Sequence, residues 1–276
     1  MRKEISDFTD ENSGFRVIFE GLTSIRAIIK VCRSGVSNRR IETILYSEKV
    51  TKSKSKEINW LTRISEEMGF SVEETDAATI DKAATGTSHG GIIAICGDRE
   101  IHNLADRANE IRSACDISSA EKTNTDGFYV MLEGIEDPYN FGYAIRTIYA
   151  AGATGIILSP RNWMTASGVV CRSSAGASEL ISMYTSDFET AAEIFRSRGY
   201  KIVCAGIRDS VPVCDADLKK PLFMIVGGEK RGISRNVLEQ ADLVVRLDYG
   251  REFKGSLSAA SAASILAYEV FRQNGE

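Results

Sequence analysis

Histidines and paired cysteines are scarce in this chain, and their scarcity excludes several kinds of chemistry. Its 276 residues include two histidines, His89 and His102, and six scattered cysteines with no Cys-x-x-Cys spacing. That pattern argues against a structural zinc site and for reduced, mostly packed thiols, so we expect no metal. Neither histidine has a recognisable catalytic setting, which argues against hydrolysis by a serine triad.

Long apolar runs and common nucleotide-binding fingerprints are also missing. No apolar stretch approaches the length of a membrane span, and the polar first residues contain no signal-peptide core, so we expect a cytoplasmic protein without membrane contact. Neither a P-loop nor a Gly-x-Gly-x-x-Gly sequence occurs, which argues against a dinucleotide site of the Rossmann type. The formal net charge of −4 gives no general attraction to nucleic acid, so RNA binding would need a local basic patch.

Apolar periodicity divides the chain into two parts, and 276 residues suffice for two modest domains. Residues 1–14 resemble a flexible polar tail, and residues 15–117 alternate strand and helix patterns as a small α/β domain does. Residues 118–127 lose this periodicity and are interpreted as a linker. Residues 128–276 alternate more clearly, and their repeated strand–helix units predict a mostly parallel sheet covered on both faces.

The stretch DPYNFG follows a predicted buried strand over residues 128–132. Because Pro138 fixes φ and bars the residue before it from a helix, a turn is expected there, with Asn140 capping a helix over residues 140–151. Arg146 would lie on the second helical turn, near the carboxyl edge of the sheet, where open α/β sheets bind ligands. Taken alone, the stretch is explained equally well by an ordinary strand, turn and helix with a solvated arginine.

Two further stretches combine glycines or other small residues with the ends of predicted elements. Residues 227–232 follow an apolar strand, and the first two glycines let the backbone approach a ligand closely, with Glu229 at the strand's end. Residues 255–264 are mostly small and open a closing helix predicted over residues 256–272, which leaves free N–H groups at its start. The structural alternatives are a tight turn with a solvated charge cluster and close helix packing.

The residue types in these stretches suit the binding of a charged substrate against a cofactor that carries its own reactivity. The first half of the chain also contains a basic group, namely Arg39, Arg40, Lys49, Lys52, Lys54 and Lys56. For the group as a whole, contact with phosphates is favoured slightly over simple solvation. His89, beside two glycines, is a candidate for the same surface, although a lone histidine in a turn is more often structural.

Taken together, the three stretches resemble the motifs of the SpoU (TrmH-like) RNA ribose methyltransferases of the SPOUT superfamily. The matching sequences are DPYNFG running on to Arg146-Thr147, VGGEKRGIS at residues 226–234, and SLS at residues 256–258 through ILAYE at residues 265–269. RSSAGA at residues 172–177 resembles a family segment between the first two motifs. Their order and spacing, across roughly the last 150 residues, make the resemblance specific.

More loosely, the first half resembles the small ribosomal-protein-like RNA-binding domain that often precedes the catalytic one, at FEG (residues 19–21) and SHGG (residues 88–91). The resemblance implies an α/β fold with a trefoil-knotted C-terminal SPOUT methyltransferase domain, preceded by that RNA-binding domain. It also implies S-adenosylmethionine as cofactor, a ribose 2′-hydroxyl of structured RNA (rRNA or tRNA) as methyl acceptor, and a homodimer formed through the C-terminal domain.

The resemblance assigns site residues position by position. The implied catalytic residues are Asn140, Arg146, Glu229 and Ser258. The implied cofactor-binding residues are Ile225, Val226, Gly227, Gly228, Glu229, Leu247, Ser256, Leu257 and Ser258. The expected RNA-binding residues are Arg39, Arg40, Lys52, Lys54 and His89. Because a guanidinium group stays protonated, Arg146 is expected to position the ribose and neutralise its phosphate, while Glu229 organises Asn140.

One departure from the family motifs leaves the activity open between alternatives. The family usually carries Asn where this chain has Ser258, and Ser where it has Ala260. Serine loses the two-ended hydrogen bonding of the amide. An RNA-binding module on a methyltransferase scaffold, with weakened or lost catalysis, is therefore the alternative to an RNA 2′-O-methyltransferase. A methyltransferase acting on a small molecule or a protein is a third option, against which the basic residues of the first domain argue mildly.

Overall fold

Two β-sheets organise the chain, one in each of two compact units. The computed structural model describes residues 16–35, 37–87, 89–119, 127–159, 166–228 and 232–275. The first unit contains the described residues of Met1–Glu100 and Asn162–Leu180, and the second unit contains those of Ile101–Arg161 and Ile181–Glu276.

Strands and helices alternate along most of the described chain. The strands are β1 (Val17–Glu20), β2 (Ile41–Ser47), β3 (Ser71–Thr75), β4 (Ile92–Cys96), β5 (His102–Asn103), β6 (Phe128–Glu133), β7 (Gly155–Leu158), β8 (Ser182–Thr185), β9 (Lys201–Ala205), β10 (Val211–Pro212), β11 (Leu222–Gly227) and β12 (Leu243–Arg246). The α-helices are α1 (Gly21–Arg33), α2 (Glu48–Ser53), α3 (Ser55–Met68), α4 (Ala77–Ala83), α5 (Ala114–Ser119), α6 (Pro138–Ala150), α7 (Ser167–Ser173), α8 (Ala177–Leu180), α9 (Phe188–Ser197), α10 (Arg235–Glu239) and α11 (Ala259–Asn274).

The first unit is built on the sheet β1-β4-β2-β3, in which β4 is antiparallel to both of its neighbours and β2 is parallel to β3. Helix α1 buries Ile25, Ile28 and Ile29 in the same apolar core as Phe19 of β1. These isoleucines recur at the spacing of one helix face, which is why the sequence pattern identifies this helix. All residues of β4 are buried, as its position inside the sheet requires.

A buried ion pair attaches α8 to the strands of the first unit. Arg39 Nε lies 3.0 Å from Glu179 Oε2, and Arg39 Nη1 donates a hydrogen bond of 2.8 Å to the carbonyl oxygen of Gly97. The side chains of Arg39 and Glu179 are only 1% and 4% exposed. The guanidinium carbon also lies 4.6 Å from the centre of the Phe19 ring. The buried Arg39 guanidinium therefore depends on the Glu179 carboxylate for compensation of its charge.

A second ion pair joins Glu20, at the end of β1, to Arg172 of α7. Glu20 Oε1 accepts hydrogen bonds from the backbone N–H groups of Thr85 at 2.6 Å and Gly86 at 2.9 Å, so both carboxylate oxygens are engaged. Residues 166–180, which the sequence assigns to the methyltransferase domain, thus pack within the first unit.

The compact units also differ from the predicted domain ranges at the end of the first range. The described residues from 101 to 117, which the sequence pattern assigns to the RNA-binding domain, belong to the second unit. There β5 pairs with β8, and Leu104 N–H donates to the carbonyl oxygen of Thr185 at 2.9 Å. As limits of independently folding domains, the ranges 15–117 and 128–276 stay a prediction.

The second unit is built on the sheet β10-β12-β9-β11-β6-β7-β8-β5, in which all neighbouring strands are parallel. Aromatic rings fill its core, where the ring centre of Phe195 in α9 lies 4.3 Å from that of Phe223 and 4.9 Å from that of Tyr129. The expected α/β class with a mostly parallel sheet is confirmed. The trefoil knot and the ribosomal-protein-like character of the first domain stay predictions.

Two local differences from the sequence pattern have clear physical reasons. The pattern predicts one helix over residues 168–177, but the chain forms α7 and α8, separated at Ala175 and Gly176. Their φ angles of 53° and 86° are left-handed, which ends the first helix. The sequence pattern also predicts no strand where β3 forms. Strand β3 lies at the edge of its sheet and none of its residues is buried, so its sequence has no run of apolar residues.

The cysteine thiols are all free, and several lie in the cores of the two units. Burial raises the pKa of Cys96 and of Cys171 in the first unit. Burial likewise raises the pKa of Cys204 to about 12. These thiols therefore stay protonated and unreactive near neutral pH. Cys115 and Cys214 are exposed, so the expectation of packed thiols holds for only part of the set.

The buried pair gives a prediction about stability. We expect Glu179→Ala to lower the free energy of unfolding by about 3–5 kcal/mol, because it leaves the Arg39 guanidinium buried without its carboxylate. Urea unfolding followed by circular dichroism and tryptophan fluorescence measures this change. The matched control is Glu239→Ala, which removes an exposed partner of Arg235 and is expected to change stability by less than about 0.5 kcal/mol. Equal losses in the two variants would contradict the role of the buried pair.

Candidate active site

Adjacent parallel strands bring two turns together at the carboxyl edge of the large sheet. Strands β6 and β11 pair so that Glu133 lies beside Gly227 where the strands end. Beyond them, Gly228 passes so close to Gly134 that a Cβ atom at Gly228 would collide with the carbonyl oxygen of Gly134. Gly232 N–H donates a hydrogen bond of 2.9 Å to the carbonyl oxygen of Gly228. These glycines therefore allow two backbone segments to approach each other closely, and the close approach to a ligand that was expected of them stays a prediction.

A cavity of about 700 Å³ opens at this edge, and we call it the edge cavity. Its wall consists of residues at and beyond the carboxyl ends of β9, β11 and β12, together with the start of α11. The predicted cofactor-binding residues on this wall are Val226, Gly227, Gly228, Leu247, Ser256 and Leu257. A volume of this size is typical of small-molecule sites. The fold thus brings the second and third sequence motifs into one site.

Other predicted residues lie away from the wall of the edge cavity. Ile225 is fully buried and packs in the apolar core of the second unit. Its side chain therefore does not reach the edge cavity, and the cofactor contact expected at Ile225, largely through backbone groups, stays a prediction. Glu229, expected to be both catalytic and cofactor-binding, lies outside the described residues.

Ser258 caps helix α11, which begins at Ala259 instead of residue 256. Its Oγ accepts a hydrogen bond from the backbone N–H of Ser261 at 3.1 Å and lies 2.9 Å from Ser261 Oγ. Asparagine is an equally good N-cap, so the departure from the family motif preserves this local interaction. The structure thus gives Ser258 a capping role, and its catalytic role stays a prediction.

Helix α6 begins two residues earlier than the sequence pattern predicts, with a different cap. Asp137 is the N-cap, and its side chain accepts a hydrogen bond from the Tyr139 N–H at 3.1 Å. Pro138 occupies the first helical turn, where its missing N–H costs nothing. The prediction that Asn140 caps the helix is wrong, because a residue inside the first turn has helical geometry and cannot serve as the cap.

Arg146 consequently lies on the third turn of α6 instead of the second. A rise of 1.5 Å per residue places it about 9 Å farther along the helix axis than Asn140. Arg146 is exposed and Asn140 is partly exposed, and neither lies on the wall of the edge cavity. A single chain therefore does not bring the first sequence motif to the same wall as the second and third motifs.

Comparison with known proteins identifies the family to which this arrangement corresponds. The model of the SpoU rRNA Methylase family matches residues 127–268, more than half of the chain. The chain belongs to the SpoU rRNA methylase family. The resemblance carried by the three motifs is thereby confirmed.

Relatives and solved structures extend the similarity beyond the matched segment. The chain is 26% identical over 238 residues to a putative TrmH family tRNA/rRNA methyltransferase, YacO of Bacillus subtilis, covering 86% of this chain and 90% of that one. It is 31% identical over 154 residues to the 23S rRNA (guanosine-2′-O-)-methyltransferase RlmB of Pseudomonas putida, covering 55% and 62% of the two chains. An AdoMet-bound rRNA methyltransferase from Sinorhizobium meliloti shares the fold, with a TM-score of 0.73, 22% identity and 93% and 87% coverage.

In this SpoU-family chain the predicted RNA-binding residues do not form one surface. Arg39 is buried in its ion pair with Glu179, so its guanidinium is not available to a phosphate and the expectation of RNA binding is wrong for this residue. The burial of Arg39 depends on contacts with residues distant in sequence, so the sequence does not distinguish it from the neighbouring Arg40. Arg40, the next residue, is exposed.

His89 also has a structural role in the first unit. Its Nδ1 accepts a hydrogen bond from the Gly91 N–H at 3.2 Å, and its Nε2 lies 3.1 Å from Asp81 Oδ1. These contacts fit a neutral ring protonated on Nε2, which donates to the carboxylate. Both ring nitrogens are engaged and the residue is 9% exposed, so the structure corresponds to the structural alternative for this histidine.

The remaining basic residues are separated by the length of strand β2. Arg40 immediately precedes β2, whereas Lys52 and Lys54 follow it, Lys52 in α2 and Lys54 at its end. With about 3.3 Å per residue, the two ends of this strand are about 20 Å apart. Lys54 Nζ would lie 3.7 Å from a Cβ atom at Gly90, so Lys54 is next to the turn at Gly90 and Gly91. The basic group is thus divided into two places.

Sequence reasoning missed several residues on the wall of the edge cavity. They come from the end of β9 and from the segment between β12 and α11, namely Ala205, Gly206, Ile207, Tyr249, Phe253 and Lys254. Glycine directly after an apolar strand at Gly206 is the same signal that identified Gly227. Aromatic residues alternating with basic ones between Tyr249 and Lys254 are a second signal, which is typical of nucleic-acid contacts.

The described part of the chain contains no group of three or more His, Cys, Asp or Glu side chains placed to hold a metal ion. Across the same residues, the helices are too short or too polar to cross a bilayer.

The capping role of Ser258 gives a prediction. Ser258→Ala should lower the free energy of unfolding by about 1 kcal/mol because the N–H of Ser261 loses its acceptor, whereas Ser258→Asn should stay within a few tenths of a kcal/mol of the native chain. Chemical unfolding of the three proteins under identical conditions measures the difference. An alanine variant as stable as the native chain would contradict a capping contribution.

Proposed function

We propose that this chain transfers a methyl group from S-adenosylmethionine to the 2′-hydroxyl of a ribose in structured RNA. One observation carries the proposal: stretches as far apart in sequence as Gly227 and Leu257 form the wall of a single cavity in a chain of the SpoU rRNA methylase family. Relatives such as the RlmB proteins are named 23S rRNA (guanosine-2′-O-)-methyltransferases, which supports ribose as the acceptor.

The residues of the edge cavity fit this cofactor. Val226, Leu247 and Leu257 supply apolar surface for the adenosine, and the glycines at 227 and 228 expose backbone polar groups without side chains in the way. When bound, S-adenosylmethionine supplies an electrophilic methyl group on a positively charged sulfur. The protein's contribution is then to hold the acceptor ribose against that methyl group, and geometry of this kind supplies much of the acceleration.

Three residues of the motifs have proposed roles toward the ribose. Arg146 carries a planar guanidinium group with hydrogen-bond donors and no acceptor, so it is suited to bind a phosphate beside the target ribose and not to accept the hydroxyl proton. Asn140, a neutral amide with donors and an acceptor, is suited to orient the 2′-hydroxyl. Glu229 follows Gly228 directly and would organise Asn140 and the loop that follows β11.

A homodimer through the second unit is part of the proposal. Helices α6 and α11 pack together, and their outer face carries large exposed side chains, namely Tyr139, Tyr143, Ile265, Tyr268 and Phe271. Exposed apolar patches of this kind mark protein interfaces. Arg146 follows Tyr139 and Tyr143 at helical spacing on the same face of α6, so a dimer through this face would place the arginine at the interface.

We further propose that the RNA contacts of the first unit come from Lys52 and from Lys54, which lies beside Gly90. Arg40 contacts RNA at a separate place. Lys52 and Arg40 are exposed and Lys54 is partly exposed, as phosphate contact requires. A chain that modifies rRNA or tRNA works where these RNAs are, so we place it in the cytoplasm.

The alternatives raised by the sequence lose their support. Serine at position 258 keeps the helix cap that asparagine would make, and relatives of the chain are named methyltransferases, so lost catalysis is not favoured. Membership in an rRNA methylase family favours RNA over a small molecule or a protein as substrate.

Methyl transfer itself is the first test. We expect the native chain to label ribose in RNA isolated from cells lacking its gene when given S-adenosylmethionine with a radioactive methyl group. Arg146→Ala should lower the rate about 10- to 100-fold because a charged hydrogen-bond donor to the RNA is lost. Arg235→Ala, at a 90% exposed side chain on α10, is the matched control and should retain the native rate. Native chain that binds the cofactor yet labels no RNA would refute the proposal.

The dimer is tested with Tyr268→Asp. This substitution places a charge on the outer face of α11, where Tyr268 is 60% exposed, and we expect the native dimer to become a monomer. Arg235→Asp introduces the same side chain at another exposed helical position and should leave the dimer intact. Sedimentation equilibrium at matched protein concentrations distinguishes the two forms. A native chain that sediments as a monomer rules the dimer out.

A further inference from the structure

The segment between β12 and α11 alternates aromatic and basic side chains at the opening of the edge cavity. Tyr249, Arg251, Phe253 and Lys254 are all exposed. Tyr249, Phe253 and Lys254 lie on the wall of the edge cavity itself. The proposed methyl transfer has no role yet for these four side chains.

A second cavity of about 680 Å³ adjoins the edge cavity, and we call it the rim cavity. The residues that line both cavities are Leu247, Asp248, Tyr249, Phe253 and Leu257. The rest of the rim cavity is lined by Val213, Cys214, Gly250, Arg251 and Ile265. Its lining is therefore largely apolar and aromatic, with the cation of Arg251 at its side. A ligand group in the rim cavity would lie directly beside a ligand in the edge cavity.

The two aromatic rings are held in place although they are exposed. Tyr249 is 42% exposed and Phe253 is 58% exposed, and their ring centres are 5.7 Å apart in an edge-to-face arrangement. The Leu257 N–H donates a hydrogen bond of 3.3 Å to the Tyr249 hydroxyl. A Cβ atom at Gly255 would lie 2.6 Å from Phe253 Cζ, so the ring rests on backbone that carries no side chain. Exposed rings fixed in this way form a preorganised surface for a flat ligand.

Unpaired nucleobases are the flat groups that such a surface recognises in RNA. Single-stranded or splayed-out bases stack on aromatic side chains, and every base has a suitable face. Neighbouring cations then bind the phosphates on either side. The charges of Arg246 and Asp248 compensate each other, since Arg246 Nε lies 2.8 Å from Asp248 Oδ1. The other charges of the segment are the cations Arg251 and Lys254 and the anion Glu252. The local balance is positive in a chain whose net charge is −4.

We propose that the rim cavity binds the base of the nucleotide whose ribose is methylated, with Phe253 and Tyr249 as its stacking surface and Arg251 as a phosphate contact. This inference rests on the proposed function. The shared wall of the two cavities explains the arrangement, because a base in the rim cavity places its own ribose toward the edge cavity. Phe253 and Tyr249 are then specificity-determining residues, and the shape of the rim cavity selects the base.

The test compares two substitutions at one position. Phe253→Leu keeps apolar character and removes the aromatic face, whereas Phe253→Trp retains and enlarges that face. With RNA from cells lacking the gene, we expect Phe253→Leu to lower kcat/KM for RNA about 5- to 100-fold and Phe253→Trp to stay near the native value. The affinity for S-adenosylmethionine, measured by calorimetry, should be nearly the same in all three proteins. Arg251→Ala should weaken RNA binding, with Arg235→Ala as the exposed-cation control.

A second readout is independent of catalysis. Stacking quenches indole fluorescence, so the emission added by Phe253→Trp, relative to the native chain, should fall when the same RNA is titrated in. If the native chain transfers no methyl group, the proposed function fails, and this titration together with the RNA affinity of Phe253→Leu still decides the inference.

Several results would overturn the proposal. An unchanged kcat/KM and RNA affinity in Phe253→Leu would exclude a stacking role. A loss of cofactor affinity equal to the loss in kcat/KM would make Phe253 part of the cofactor wall alone. Conversion of the native dimer to a monomer by Phe253→Leu would show that a second copy of the chain covers the rim cavity. Absence of quenching in Phe253→Trp would exclude contact with RNA bases.

Discussion

The parallel pairing of β6 with β11 is the constraint on which the candidate active site depends. It sets the ends of two strands side by side and forces the turns after them into backbone contact at Gly134 and Gly228. Because no side chain fits there, Gly228 lies against the backbone of Gly134, and Gly232 donates a hydrogen bond back to Gly228. The cavity beyond it is then bounded by the neighbouring strands β9 and β12 and by the start of α11. Residues distant in sequence meet because four strand ends share one edge.

Local chemistry determined how much of this was predictable from the sequence. Buried strands such as β6 and β11 are continuous apolar runs, and the glycines that follow them indicate a turn, so the sheet class is predictable from the sequence. Several residues of the edge-cavity wall belong to the motifs, whereas the end of β9 and most of the segment before α11 carry no motif. Arg39 and Asn140 were misjudged for different reasons. The burial of Arg39 depends on Glu179, 140 positions away, and the cap of α6 depends on a competition between neighbouring polar residues that Asp137 wins. No local sequence feature indicates the contact between Arg39 and Glu179, and residue spacing alone does not decide which residue caps α6.

An acidic chain that acts on RNA must obtain its affinity from limited areas. The net charge is −4, one arginine of the basic group is buried in an ion pair, and the exposed cations lie in separate places. Release of counterions from RNA phosphates therefore contributes only through the few exposed cations. Aromatic surface is the other source of affinity, and it does not repel the protein's own acidic residues. The segment between β12 and α11 provides such aromatic surface, because its two rings are exposed.

The ion pairs of Glu20 with Arg172 and of Arg39 with Glu179 make the first unit discontinuous in sequence. Residues 166–180 are inserted between strands β7 and β8 of the second unit, yet their charged side chains complete the first. Exchange of the first unit between members of the family thus cannot proceed by joining chains at a single point near residue 120. A functional chimera has to carry two separate segments from the same parent, so the two halves of this chain are constrained to evolve together.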